Sequence, residues 1–185
     1  MASDFLLKRA ARIINAGGVV AYPTEGVYGL GCLPDEGEAV MRILQLKGRR
    51  IDKGLILIAS SVEQLNDYIE PLSREMLSRV TSTWPGPHTW IVPARSDAPP
   101  WLTGGRDTLA VRVTAETIAR KLCDLTASPL VSTSANREGR TPARTQLASK
   151  YLFGIKVDFY VPGRVGGLGS PTPIRDARDG QIVRQ

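Results

Sequence analysis

The chain has 185 residues and a formal net charge of +6, from 24 Lys and Arg against 18 Asp and Glu. Its composition, 42% hydrophobic and 23% charged, is that of a globular protein, and no apolar run approaches the roughly 20 residues of a membrane span. We expect a single domain over residues 1–185 with no signal peptide. Because the chain has only two cysteines, we also expect a cytoplasmic location rather than a disulfide framework.

The positive charge is carried mainly by Arg, which supplies 18 of the 24 cationic side chains. Arg recognises phosphate and carboxylate groups through planar, bidentate hydrogen bonds. This balance favours a phosphate-rich partner, either a nucleotide or RNA, although many ordinary proteins carry as much charge.

Strands and helices are predicted to alternate along the chain. Apolar residues at helical spacing predict helices over residues 4–16, 36–46, 73–82, 115–124 and 145–153, and the capping-box pair Ser60 and Glu63 predicts one more short helix. β-rich runs predict strands over 19–22, 55–59, 90–92, 109–113 and 129–136, and a hairpin over 174–184. We interpret residues 23–31 as a glycine-rich loop. The alternation indicates an α/β fold with a twisted, open, mixed β-sheet flanked by helices.

The strand over 129–136 ends in small polar side chains. Strand alternation places Leu130, Ser132, Ser134 and Asn136 on one face, which becomes polar toward its end. Ligands of open α/β sheets bind at the carboxyl ends of strands, so this face predicts a pocket wall. A strand that simply ends in a polar turn is the alternative.

Four cations follow the second predicted helix, in the segment Lys47-Gly48-Arg49-Arg50-Ile51-Asp52-Lys53. They could complement the dipole at the end of the helix, which is the simpler explanation for this segment alone. They could also clamp a polyphosphate, so both interpretations stay open.

Arg112 interrupts the apolar strand over 109–113. If Leu109, Val111 and Val113 face the core, Arg112 faces the other way and needs solvent or an anionic partner, because an unpaired buried charge is costly. Two more polar clusters stand out: Thr24-Glu25, and Ser170-Pro171-Thr172 with Arg175 and Arg184.

Several catalytic motifs are missing from the sequence. With one histidine, His88, the chain can form neither a His-rich metal site nor His-Glu-x-x-His. It has no P-loop motif and no Gly-x-Ser-x-Gly nucleophile elbow. The remaining Arg, Lys, Ser, Thr and Asn suit a site that binds anions and positions reactants, as in transfer chemistry at phosphorus.

Taken in order, five groups of residues resemble the motifs of the YrdC/TsaC family. They are Tyr22-Pro23-Thr24-Glu25 with Tyr28-Gly29-Leu30-Gly31, Lys47-x-Arg49 with Lys53-Gly54-Leu55, Trp84-Pro85-Gly86-Pro87, Ala110-Val111-Arg112-Val113, and Ser132-Thr133-Ser134-Ala135-Asn136. The similarity runs from about residue 4 to the end and is greatest for the short, single-domain bacterial branch. It implies a YrdC-like fold with a basic concave cavity.

The resemblance implies a threonylcarbamoyl-AMP synthase, a nucleotidyltransferase that converts L-threonine, bicarbonate and ATP to threonylcarbamoyl-adenylate and pyrophosphate. This is the first step of tRNA threonylcarbamoyladenosine modification. The resemblance also implies Mg²⁺ with ATP, no tightly bound organic cofactor and no protein metal ligands. The implied partners are tRNA, whose direct binding is left open, and downstream threonylcarbamoyl-transfer proteins, with no membrane.

Site residues follow from the same resemblance. Arg49 and Lys53, with Lys47 beside them, would hold the triphosphate. Ser134, Asn136 and Thr108 would hydrogen-bond to ATP, with Arg184 near the nucleotide. The residues that would hold threonine are Thr24, Ser132, Thr172 and Arg112, the last as the partner of its carboxylate.

The chain departs from the family pattern at several positions. Many relatives have Thr-Asp-Thr where this chain has Thr24-Glu25-Gly26, and Pro where it has Arg50. A histidine common near the end of the third strand is Ile58 here, which removes one expected threonine contact. The usual Ser-Thr-Val-Val-Asp is Thr172-Pro173-Ile174-Arg175-Asp176, so Thr172 has the weakest match.

Two other functions stay open. A non-catalytic RNA-binding protein could use the same basic cavity on tRNA or rRNA, although only 6% of the residues are aromatic and no stacking platform is evident. A paralogue of the same fold with a different substrate is the third hypothesis.

Overall fold

The computed structural model describes residues 2–168 and 172–184. Its α-helices are α1 (Asp4–Asn15), α2 (Gly37–Lys47), α3 (Arg74–Thr81), α4 (Pro100–Thr103), α5 (Thr117–Thr126) and α6 (Gln146–Phe153). Its strands are β1 (Val20–Pro23), β2 (Tyr28–Gly31), β3 (Ile56–Ala59), β4 (Thr89–Pro93), β5 (Thr108–Val113), β6 (Leu130–Ser134), β7 (Phe159–Tyr160), β8 (Ile174–Asp176) and β9 (Ile182–Arg184).

The strands form one mixed sheet in the order β7-β1-β2-β6-β3-β5-β4-β8-β9. Strand β6 pairs antiparallel with both β2 and β3, whereas β3 and β5 run parallel. The predicted C-terminal hairpin is present as the antiparallel pair β8–β9. This architecture confirms the α/β fold with a twisted, open, mixed sheet.

Strand alternation divides the apolar residues between the two faces of the sheet. Tyr22, Ile58 and Leu130 face α1 and α5, while their neighbours Leu57 and Val131 face the core that contains α2 and α6. Both sets are fully buried. These four helices therefore each cover one face with an apolar stripe, as their sequence patterns predict. Among the described residues, no helix is long and apolar enough to cross a membrane.

Two local predictions were wrong, and two short elements were not predicted. Residues 28–31, assigned to a glycine-rich loop, form β2, because Gly29 and Gly31 take part in strand pairing with β1 and β6. The Ser60–Glu63 pattern does not cap a helix: the only helical piece there is a single 3₁₀ turn over Glu63–Leu65. The strand β7 and the helix α4 are too short to produce a periodic signal, and sequence reasoning missed both.

Candidate functional site

A small polar cavity, called here the inner cavity, is lined by residues of β2, β3, β5, β6 and β9 and of the adjoining loops. Its volume is about 130 Å³, roughly the share of four water molecules in the liquid. The four residues predicted to hold threonine all line it: Thr24, Arg112, Ser132 and Thr172. Each is less than a tenth exposed. Its size and polar lining therefore suit a molecule as small as an amino acid.

Arg112 is the charged group of this cavity. Its Nη1 donates to Thr172 Oγ1 at 2.7 Å and to Thr89 Oγ1 at 3.1 Å. Its Nη2 lies 3.3 Å from Glu25 Oε2, in a buried ion pair. Leu109, Val111 and Val113 are buried in the core on the opposite face, as the strand pattern predicts. The guanidinium thus has fixed partners and still lines the cavity, where it can meet a carboxylate.

A second, open cavity is lined by cations and adjoins the first. Its lining, called here the cationic rim, consists of Arg49, Arg50, Lys53, Arg106 and Arg184, with Asp52. Arg49 Nη2 donates to the carbonyl oxygen of Gly54 at 3.0 Å. Burial lowers the pKa of Arg49 and of Arg184 from their ordinary values. This concentration of positive charge is the arrangement expected for a polyphosphate.

Lys47 lies behind the rim rather than on it. It is 4% exposed, and its Nζ donates to the carbonyl oxygens of Ser134 and Asn136. Burial, and then the neighbouring Arg49, lower its pKa to about 8. A solvated cation that only complements the helix dipole would be exposed, so that simpler interpretation does not describe Lys47.

The remaining predicted residues are distributed around these two cavities. Ser134 lines the inner cavity and donates to Asn136 Oδ1 at 2.6 Å, while Asn136 Nδ2 donates to the carbonyl oxygen of Arg140 at 2.7 Å. Lys53 forms an ion pair with Glu138 at the rim. Thr108 begins β5 and is not among the described residues that line either cavity.

Two departures from the family pattern have a structural outcome. Ile58 is fully buried in the core beside α1 and α5. It therefore makes apolar contacts at the position where many relatives have a polar histidine. Thr172 lines the cavity despite its weak motif match. Ser170 and Pro171, named with it as a polar cluster, lie outside the described residues.

Sequence reasoning assigned no role to three contributors to the site. Gly29 lines the inner cavity, where its missing side chain leaves room beside Thr24 and Ser132. Glu25 pairs with Arg112. Arg106 lies on the rim and is anchored through Nη1 to the carbonyl oxygen of Asp52 at 2.9 Å. Only tertiary contacts distinguish these residues from other Gly, Glu and Arg residues of the chain.

A larger groove of about 750 Å³ lies between α2 and α6. Apolar residues such as Leu46, Leu152 and Phe153 line it together with exposed charged residues. The inner cavity is smaller, but its buried hydroxyls converge with a buried guanidinium, which is the better mark of a specific polar site.

No group of three or more His, Cys, Asp or Glu side chains within residues 2–168 and 172–184 is placed to hold a metal ion.

Comparison with known proteins gives consistent matches over nearly the whole chain. A family model for Sua5, YciO and YrdC, described as "Telomere recombination", matches residues 12–185. The threonylcarbamoyl-AMP synthase of Nitrosococcus oceani is 56% identical over 181 residues, covering 98% of both chains. That of Halorhodospira halophila is 52% identical and covers 98% of this chain and 95% of its own.

Solved structures agree with this similarity. P. abyssi Sua5 complexed with L-threonine has a TM-score of 0.89 at 33% identity and covers 97% of this chain. This chain spans about half of that one, 53%. E. coli YciO has a TM-score of 0.84 at 25% identity and covers 99% of this chain and 90% of its own.

Proposed function

Because this chain belongs to the Sua5/YciO/YrdC family, we propose that it is a threonylcarbamoyl-AMP synthase. Its substrates are L-threonine, bicarbonate and ATP, and its products are threonylcarbamoyl-adenylate and pyrophosphate. Near full-length relatives carry that name, and the Sua5 structure that resembles this chain contains L-threonine.

One observation carries the proposal: Arg49 and Arg184 belong to the cationic rim and also line the inner cavity. A small molecule in the inner cavity and a polyphosphate on the rim would therefore meet at these two side chains. Joining an amino-acid derivative to the α-phosphorus of ATP requires this adjacency, because the reacting atoms must approach in one fixed geometry.

The chemistry needs no protein nucleophile. The amine of threonine and bicarbonate form a carbamate and release water; a carbamate oxygen then attacks the α-phosphorus, and the bond to the β-phosphate breaks. In our proposal Arg112 holds the threonine carboxylate, and Thr24, Ser132 and Thr172 orient the rest of the amino acid. Arg49, Lys53 and Arg184 stabilise the negative charge that develops on the leaving pyrophosphate.

Ser134 and Asn136 are assigned to the nucleotide, with Lys47 fixing the turn that carries them. We also assign Thr108 to the nucleotide, at the edge of the site. The contacts of Asn136 with Lys47 and with Ser134 support the first two assignments, whereas that of Thr108 rests on the family resemblance.

We further propose that Mg²⁺ accompanies ATP at the rim. The rim is cationic, and Asp52 and Glu138 are paired with Arg50 and Lys53. We therefore expect phosphate oxygens rather than protein side chains to supply most of its ligands. Bound there, Mg²⁺ would offset phosphate charge.

We further propose that the adenylate passes to threonylcarbamoyl-transfer proteins that modify tRNA, and that the enzyme works in the cytoplasm. The free state of both buried cysteines, Cys32 and Cys123, supports a reducing compartment.

Pyrophosphate release tests the proposal. The purified chain is given ATP, Mg²⁺ and bicarbonate, with L-threonine, L-serine or neither. We expect release that requires bicarbonate and is strongest with threonine. Strongest release with another amino acid would indicate a paralogue with a different substrate. No release, together with RNA binding that falls steeply with salt, would favour the non-catalytic RNA-binding protein.

A further inference from the structure

Glu25 is not among the residues that line the inner cavity, although its ion-pair partner Arg112 is. Its neighbours Thr24 and Gly26 line that cavity, whereas Glu25 lines a separate depression of about 420 Å³ with Glu116 and Leu168. It is nevertheless buried, with 7% of its surface exposed. A carboxylate held in such a place needs a partner, because an unpaired buried charge is costly.

Its partner is the guanidinium of Arg112. Glu25 Oε2 lies 3.3 Å from Arg112 Nη2, and Glu25 Oε1 accepts a hydrogen bond from Thr114 Oγ1 at 2.6 Å. The backbone is held as well, since Leu168 N donates to the carbonyl oxygen of Glu25 at 3.0 Å. The carboxylate is therefore held at Oε1 by the hydrogen bond from Thr114 and at Oε2 by the ion pair with Arg112, since Oε2 accepts no hydrogen bond from the described residues.

We propose that Glu25 is a positioning residue that fixes the Arg112 guanidinium for the carboxylate of the amino-acid substrate. This inference rests on the proposed function. Thr89 and Thr172 accept from Nη1, and Glu25 faces Nη2, so the two ends of the guanidinium are held by different elements. An Arg fixed in this way is pre-organised, and less side-chain freedom is lost when substrate binds.

The geometry gives Glu25 no direct contact with substrate, because it does not line the inner cavity. Its effect must therefore pass through Arg112 and appear in threonine binding rather than in the chemical step or in ATP binding. This separates Glu25 from a group that would remove a proton from the threonine amine.

The test is Glu25→Gln, which keeps the shape and the acceptor for Thr114 but removes the charge. We expect the KM for threonine to rise roughly tenfold, by analogy with the loss of partners that orient metal ligands, with the KM for ATP and kcat nearly unchanged. Glu75→Gln, at an exposed carboxylate in α3, is the matched control and should change neither KM. Equilibrium binding of radiolabelled threonine gives the same comparison without turnover.

Thr114→Val is the second variant, for the case in which Glu25→Gln folds poorly. It removes the hydroxyl that fixes Oε1 and keeps the ion pair, so a smaller rise confined to the threonine KM is expected. Unchanged threonine KM in Glu25→Gln, equal rises in both KM values, or a fall in kcat alone would each overturn the inference. Failure of the unaltered protein to release pyrophosphate with threonine would instead refute the proposed function.

Discussion

The ammonium nitrogen of Lys47 lies 3.0 Å from the carbonyl oxygen of Asn136 and 3.2 Å from its side-chain oxygen. This contact joins the end of α2 to the turn that follows β6. It ties the cation-rich segment after α2 to the polar strand end, although about 90 residues separate them in sequence. The two clusters that looked separate in the sequence therefore form one unit.

The titration of Lys47 predicts how ATP use depends on pH. Burial lowers the pKa of this amine to about 8, so the free enzyme loses the charge as the pH rises through that value. The protonated form holds the Ser134–Asn136 turn, and we expect the KM for ATP to rise above about pH 8. KM is the quantity to follow, because the threonine amine also titrates at alkaline pH and affects kcat.

Lys47→Met is the control for this pH dependence. It should have a higher KM for ATP at neutral pH and lose the inflection near pH 8. A wild-type KM that stays constant well above that pH would contradict the role of the Lys47 charge.

Removing a cation from the rim should weaken ATP use. Arg49→Ala and Lys53→Ala each delete a side chain that lines it. A hydrogen bond to a charged group contributes about 1.5–3 kcal/mol, so a rise of roughly tenfold or more in the KM for ATP is expected. Steady-state kinetics at saturating threonine measure it.

Lys150→Ala removes the same unit of charge from α6, away from the rim, and serves as the control. If it weakened ATP binding as much as Lys53→Ala, the effect would reflect overall charge rather than a phosphate site.

Arg112→Ala should weaken the binding of threonine. Deleting the guanidinium removes the partner proposed for the substrate carboxylate, so we expect the KM for threonine to rise at least roughly tenfold and much more than that for ATP. The change also leaves Glu25 without its ion-pair partner, which costs about 3–5 kcal/mol of folding stability. Arg112→Lys keeps a positive charge and should fold better.

Both Arg112 variants should affect threonine selectively in direct binding measurements. Selective loss of ATP binding would mean that the two substrates occupy exchanged positions.

Much of the architecture could be predicted because buried residues produce a periodic pattern of apolar side chains in the sequence. Leu109, Val111 and Val113 alternate with Arg112 along β5, and the structure places them on opposite faces. One exception is β2, where Gly29 and Gly31 suggest a loop. This strand pairs with its hairpin neighbour β1 and with the distant β6, and the pairing with β6 leaves no local signal.

The residues of the site also divide into those that the sequence could predict and those that only tertiary contacts reveal. Thr24, Arg112, Ser132 and Thr172 could be named from family motifs, and they line one cavity. The role of Glu25 could not be predicted. Nothing in the sequence Thr24-Glu25-Gly26 indicates that the Glu25 carboxylate contacts Arg112, which lies in a strand far along the chain. Partners that meet only through the tertiary fold have to be read from the structure.

Gly29 and Gly31 provide a matched pair of substitutions on one strand. A Cβ at Gly31 would lie 2.5 Å from the carbonyl oxygen of Val131 and 2.7 Å from Tyr22 Cε1, so backbone must move. A Cβ at Gly29 would lie 3.2 Å from Thr24 Cγ2 and 3.3 Å from Ser132 Oγ, inside the inner cavity.

We therefore expect Gly31→Ala to lower the free energy of unfolding by about 1–3 kcal/mol. Gly29→Ala should mainly raise the KM for threonine, because its methyl group occupies the space proposed for that substrate. Thermal denaturation and threonine titration of both variants measure the two effects. Equal loss of stability with unchanged threonine binding in Gly29→Ala would show that threonine does not use this cavity.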